Sequence, residues 1–186
     1  MKIILILILA FSPVILVIVW GGFYPVALVD NSYILARTWE RAETSSKNFL
    51  IAQARSAGIE PPNFEENTDA SGEIKRNTLT FLIENEILRE EGENLTRGFD
   101  RLSRERISEA MQQGGDLNRA AELVYGLKLQ EFQELVLIPQ ARRDTAREIL
   151  AERQVDFEQW FPDIKRKAKV RLMFFLPFSW DGEEVR

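Results

Sequence analysis

The chain contains no Cys and no His, so any chemistry must come from carboxylates, amines, guanidines and hydroxyls. That closes the Cys nucleophile, the Ser-His-Asp and Cys-His relays, thiolate and imidazole metal sites, and disulfides. It also closes lipoprotein acylation, which needs a Cys. Carboxylates are plentiful, as in Glu84, Glu86, Glu90 and Glu91 or Glu105 and Glu109, but their spacing strings them along helix surfaces with Arg and Lys interleaved. The reading is a solvated face with i,i+4 pairs. The cluster Lys165, Arg166, Lys167 and Lys169 has two readings, contact with anionic lipid headgroups or a solvated helix end complementing the macrodipole.

No G-x-x-x-x-G-K-[ST] or G-x-G-x-x-G loop is present, so nothing in the sequence cradles a nucleotide. With 24 Lys and Arg against 29 Asp and Glu, the net charge of -5 lacks the basic excess that nucleic acid demands. The sequence therefore assigns no catalytic, cofactor-binding or metal-ligating residue and argues against an enzyme. Trp39, Phe49, Phe132 and Trp160 are expected in the core; an aromatic or apolar patch left exposed would mark a polypeptide-binding surface instead. Individual peptide-binding residues are not legible.

The elements that would position such a surface are mostly helical. Val26–Val29 is β-prone and closed by the turn formers Asp30-Asn31-Ser32. From Leu35 to Ala57 a helix carries Trp39, Ala42, Ser46, Phe49, Gln53 and Ala57 on one face. Residues 58–72, with two prolines, two asparagines and two glycines, form a loop. The strongest periodicity runs from Glu73 to Glu91, with Ile74, Leu79, Leu82, Ile83 and Ile87 on a buried stripe and Gly92 as the stop. Shorter helices follow: Ser103–Gln113, stopped by Gly114-Gly115; Asp116–Tyr125, stopped by Gly126; and Leu129–Gln154, which Pro139 must kink or split. Another opens at Asp156 with Phe157, Trp160 and Ile164, and Pro162 lies near its start. Lys169–Phe175 alternates charged with aliphatic residues, as a half-buried strand does. Two strand candidates at opposite ends of a helical chain each need the other, so they are expected to pair antiparallel. Phe178 and Trp180 would then reach a headgroup layer.

A headgroup layer enters because Ile3–Trp20 is eighteen residues without a charge. At 1.5 Å per residue it spans ~27 Å of helix, close to a bilayer's hydrocarbon thickness. The competing reading is a cleaved signal peptide, but no A-x-A-like site follows. Lys2 and the amino terminus precede the run, and the next basic residue after it is Arg37, so the bulk of the chain is expected outside the cytoplasm. Residues 1–24 read as a signal-anchor and residues 25–186 as one extracytoplasmic domain.

The order of pieces in that domain carries a resemblance. Val26-Ala27-Leu28-Val29-Asp30-Asn31 with Ile34, then Leu82-Ile83 with Ile87-Leu88, then Gly126-Leu127-Lys128-Leu129-Gln130-Glu131-Phe132 resemble motifs of the SurA-like N-terminal chaperone domain, the module of SurA-, PpiD- and PrsA-type folding factors. The match covers about Val26 to Phe175. It departs at Lys128-Leu129 and at Asn31, where a turn glycine is missing, and the sequence holds no parvulin-type isomerase domain. The resemblance implies a mainly helical fold with a small two-stranded pairing. It also implies ATP-independent binding of unfolded or partly folded exported polypeptides. The other class left open is a membrane-tethered scaffold that binds one fixed protein partner.

Overall fold

The computed structural model describes residues 21–113 and 116–186. They form a mainly helical domain around a three-stranded antiparallel sheet, in the order β2-β1-β3. The strands are β1 (Pro25–Val29), β2 (Ser32–Leu35) and β3 (Val170–Leu172). β1 is central, and its Val26, Ala27 and Val29 are fully buried.

The expected pairing of the two ends is present, with Ala27 opposite Leu172 and Val29 opposite Val170. The number of strands was wrong. Residues 32–35 form a third strand, joined to β1 through the two-residue turn Asp30-Asn31. No glycine signals that turn. Asp30 instead takes φ +47°, a left-handed conformation that a short polar side chain tolerates. Asp30 also fastens the far strand: its N–H donates to the Lys169 carbonyl at 2.9 Å, and its carboxylate accepts from the Lys169 N–H at 3.2 Å. β3 ends sooner than its sequence suggests. Met173 N–H still donates to the Val26 carbonyl at 3.0 Å, but the chain then turns, with Leu176 N–H donating to the Met173 carbonyl at 3.0 Å.

The helices are α1 (Ala36–Ser56), α2 (Thr68–Leu95), α3 (Phe99–Gln113), α4 (Leu117–Ala120), α5 (Leu129–Phe132), α6 (Ile138–Glu152) and α7 (Phe157–Lys167). α2 is the hub. Its Leu79, Leu82, Ile83, Ile87 and Leu88 pack with Val26 and Val29 of the sheet, Ala146 and Leu150 of α6, and Phe157, Phe161 and Ile164 of α7. Burial of each large side chain contributes roughly 1.5–3 kcal/mol. Ile74 was expected on this stripe but is only half-buried and faces elsewhere.

α2 is longer than its sequence signals at both ends. It starts at Thr68 because the Asn67 side chain accepts from Ala70 N–H at 2.9 Å. It also runs past Gly92, which is not a stop but a notch: a Cβ there would lie 2.1 Å from Cδ1 of the fully buried Phe99. The following turn is closed by Glu93, whose carboxylate accepts from the N–H groups of Gly98 and Asp100.

A buried polar cluster joins three helices. Arg142, 4% exposed, donates to Asn85 Oδ1 at 2.9 Å and pairs with Asp100, its Nε at 2.8 Å from Oδ1. The anionic partner of a buried guanidinium is costly to remove. The carboxylate helix faces are only partly as expected. Glu105 pairs with Arg101 at i,i+4, but Glu84 bridges to Arg143 at 2.6 Å and Lys165 at 2.8 Å on other helices.

The C-terminal segment overturns the headgroup expectation for Phe178 and Trp180. Phe178 packs edge-on against Trp39 at 6.3 Å, and Trp180 pairs with Val185 in a small hairpin. Val185 is buried, and its N–H donates to Thr80 Oγ1 on α2 at 2.9 Å. Both aromatic rings therefore cover the core. Among the described residues no helix is long and apolar enough to cross a membrane. The expected anchor Ile3–Trp20 lies outside the described residues.

Two outcomes follow from this packing. Gly92→Ala should destabilise the domain by about 1–3 kcal/mol through overpacking against Phe99, although alanine is the better helix former; a thermal melt reads the sign directly. Burial alone would raise the Asp100 carboxyl, but hydrogen bonds from Arg104 and Arg142 outweigh it and hold the group below the usual carboxylate range. Its contribution is therefore complete above the unfolded value of about 3.9 and is lost as pH falls through the depressed folded value. Asp100→Asn should cost roughly 3 kcal/mol at neutral pH and flatten the acid limb of stability against pH, measurable by denaturant titration across that range.

Candidate functional site

The helical face that carries Ala42, Ser46 and Phe49 closes onto the core only at Ala42. Between α1 and α2 it leaves an open cleft of about 530 Å³. α1 supplies Ala42, Ser45, Ser46, Phe49 and Leu50, and α2 supplies Ile74, Asn77, Thr78 and Phe81. This is where Ile74 faces instead of the core. The far wall comes from two π-helical turns, Ala121–Tyr125 continuing α4 and Gln133–Leu137 continuing α5. The first contributes Tyr125, and the second Leu135, Val136 and Leu137.

π-turns are wider than α-turns and are found disproportionately at functional sites. The second has a local cause. Pro139 lies in the first turn of α6 and cannot donate a hydrogen bond back along the helix. The Leu129–Gln154 helix, expected to kink or split at Pro139, is not split: it runs from Leu129 to Glu152 with the widened turn inside it, immediately before Ile138.

The first π-turn is fixed by its end. Gly126 takes φ +65°, and Asn48 Nδ2 of α1 donates to the Tyr125 carbonyl at 3.2 Å. A Cβ on Gly126 would lie 2.4 Å from that amide nitrogen. Beyond it, Leu127 and Phe132 are buried with Ala121 in a small separate core. Glu131 accepts from Lys128 N–H at 3.0 Å and pairs with Arg41 of α1 at 2.8 Å. The residues Gly126–Phe132 thus clamp the wall onto α1.

Phe49, expected in the core, stacks on Tyr125 at 5.3 Å and is 37% exposed at the cleft. Tyr125 in turn lies against Phe132 at 4.9 Å, and burial pushes its hydroxyl pKa up. Phe132 is buried, and Trp39 is half-buried with its Nε1 donating to the Lys75 carbonyl at 3.0 Å.

A second cavity of about 560 Å³ continues the cleft toward the C-terminal end of α1, sharing Leu50, Ile74 and Asn77 with it. Ile59, Pro62 and Phe64 of the loop after α1 form its outer side. Together the two make a groove from Ala42 to Ala57, fifteen helical steps and about 22 Å. Among the described residues no group of Asp or Glu is placed to hold a metal ion. The arrangement offers apolar contact with scattered hydroxyl and amide groups. No family model, no curated protein and no solved structure matches the chain.

Gly126→Ala should strain the left-handed turn and displace Asn48, lowering stability by about 1–2 kcal/mol. Because the loss is local to the wall, amide hydrogen exchange should accelerate in residues 121–127 more than in α2.

Proposed function

We propose that the chain is a membrane-tethered, extracytoplasmic chaperone that holds unfolded exported polypeptides without nucleotide. The carrying observation is the groove itself: open and mainly apolar, with hydroxyl and amide groups scattered along it. Its principal cavity falls within the range of volumes that bind ligands by burial. A 22 Å groove takes an extended segment of about seven residues at roughly 3.3 Å each. Apolar contact without a defined hydrogen-bonding code selects for hydrophobicity over sequence, as a holder of many clients requires.

The resemblance to SurA-like N-terminal chaperone domains supports the same reading, since its Gly126–Phe132 motif clamps the wall of this groove. Tethering would place the groove beside segments leaving the export machinery and raise their effective concentration.

Purified chain should suppress light scattering from several unrelated unfolded proteins. Ser46→Trp, which puts an indole into the cleft from a position whose hydroxyl bonds only its own helix at Ala42 O, should remove most of that protection with little change in melting temperature. A scaffold for one fixed partner would protect none of these proteins, and that result would exclude the chaperone reading.

A further inference from the structure

The sheet register gathers one end of the domain. Pro25 opens β1 opposite Leu35 at the end of β2, and Leu172 closes β3 opposite Ala27. Phe23 and Tyr24, Phe174 and Phe175, and the start of α1 with Arg37 therefore all lie beyond the same end of the sheet.

Three aromatic side chains are exposed there. Phe174 is 98% exposed, Phe175 49% and Phe23 47%. Phe175 meets Tyr24 edge-on at 5.7 Å and Phe174 at 5.7 Å, so the rings form one patch. The Arg37 guanidinium lies 4.6 Å from the Phe23 ring centroid. Adjacent phenylalanines held out on a turn, with Leu176 N–H donating to Met173 O at 3.0 Å, expose apolar area that a soluble surface would bury or replace. None of the cavities described above includes these residues. The patch projects outward, unlike the groove, and so suits insertion into a soft layer better than enclosure of a chain.

The chain itself indicates what that layer is. The uncharged run Ile3–Trp20 ends three residues before Phe23, a distance of about 10 Å even when fully extended. We infer that this end of the domain rests on a lipid bilayer, with Phe174 and Phe175 in the headgroup layer beside Phe23 and with Arg37 available to anionic headgroups. Aromatic rings concentrate at that depth, and a cation near the surface adds attraction to acidic lipids. The inference rests on the anchor reading of Ile3–Trp20. It moves membrane contact to this end and away from the basic residues of α7, where Lys165 and Arg166 are engaged with Glu84 and Glu183.

The absence of native Cys makes the test specific. Full-length chains carrying Phe174→Cys or, as a reference, Leu123→Cys on the exposed side of the first π-turn would be labelled with a nitroxide. They would then be reconstituted into vesicles of phosphatidylethanolamine and phosphatidylglycerol. Relaxation by oxygen, which partitions into lipid, is compared with relaxation by a water-soluble nickel chelate. The label at 174 should favour oxygen severalfold relative to the label at 123. If the chain floats with the vesicles but both labels report water, the contact is overturned while the anchor stands. If the 174 label is shielded only after an unfolded protein is added, the patch belongs to clients and the contact is again overturned. A chain that does not float with vesicles overturns the anchor and the contact together.

Discussion

A single short strand sets the architecture. β1 lies at the centre of the sheet, so its backbone groups need a partner on each side, and buried backbone groups left unpaired are costly. One partner, β2, is local and follows a two-residue turn. The other, β3, comes from the far end of the chain, so the domain closes only when its last segment returns to its first. Asp30 sits at the junction of both requirements, turning the hairpin with its backbone and holding Lys169 with its side chain. The helices between are held as a closed loop over α2. The final hairpin through Val185 adds a second attachment on that helix.

Closure of that kind leaves the intervening helices unequal. α2, α6 and α7 form a continuous core with the sheet, and the start of α1 joins it through Ala36, Trp39 and Ala42, whereas the later part of α1 diverges from α2 and is met by the two π-turns. The wall they make is tied to α1 by the Arg41–Glu131 ion pair, the Asn48–Tyr125 hydrogen bond and the Phe49–Tyr125 ring stack, over a small core of its own.

What could be read from sequence follows the range of the interactions involved. Helix existence, the Asp116 and Asp156 caps and the pairing of the two ends came from local pattern or from a simple need for a partner. The failures share one cause. Gly92 reads as a helix stop until Phe99 is seen filling its notch, and Ile74 and Phe49 read as core until the neighbouring helix is seen to diverge. β2 was missed because four residues after a glycine-free turn carry too little periodicity. Of the π-turns only the second was signalled, through Pro139, which foretold a disturbance of the helix without its form. The groove was therefore present in the sequence as one apolar face of α1, but whether that face was covered depended on tertiary geometry.

Among the described residues the groove and the aromatic patch are apolar surfaces of different shape and place. α1 begins at Ala36, beside the aromatic patch, and reaches Phe49 in the cleft thirteen residues later, about 20 Å along its axis. That distance exceeds the reach of any side chain, so a surface bound at one end cannot satisfy the other. The patch projects outward and is dominated by rings fixed on a turn, which favours a partner that deforms around them. The groove is recessed, mixed with hydroxyl and amide groups, and elongated along a helix pair, which favours a partner that is itself a chain. If the patch faces a bilayer, the groove begins at Ala42, about 9 Å along α1 from Ala36, and runs onward from there. A polypeptide emerging from the same membrane would then need roughly three extended residues to reach its near end and roughly six to reach Phe49. Under both proposals the separation would also keep lipid tails from competing for the apolar surface proposed to hold protein.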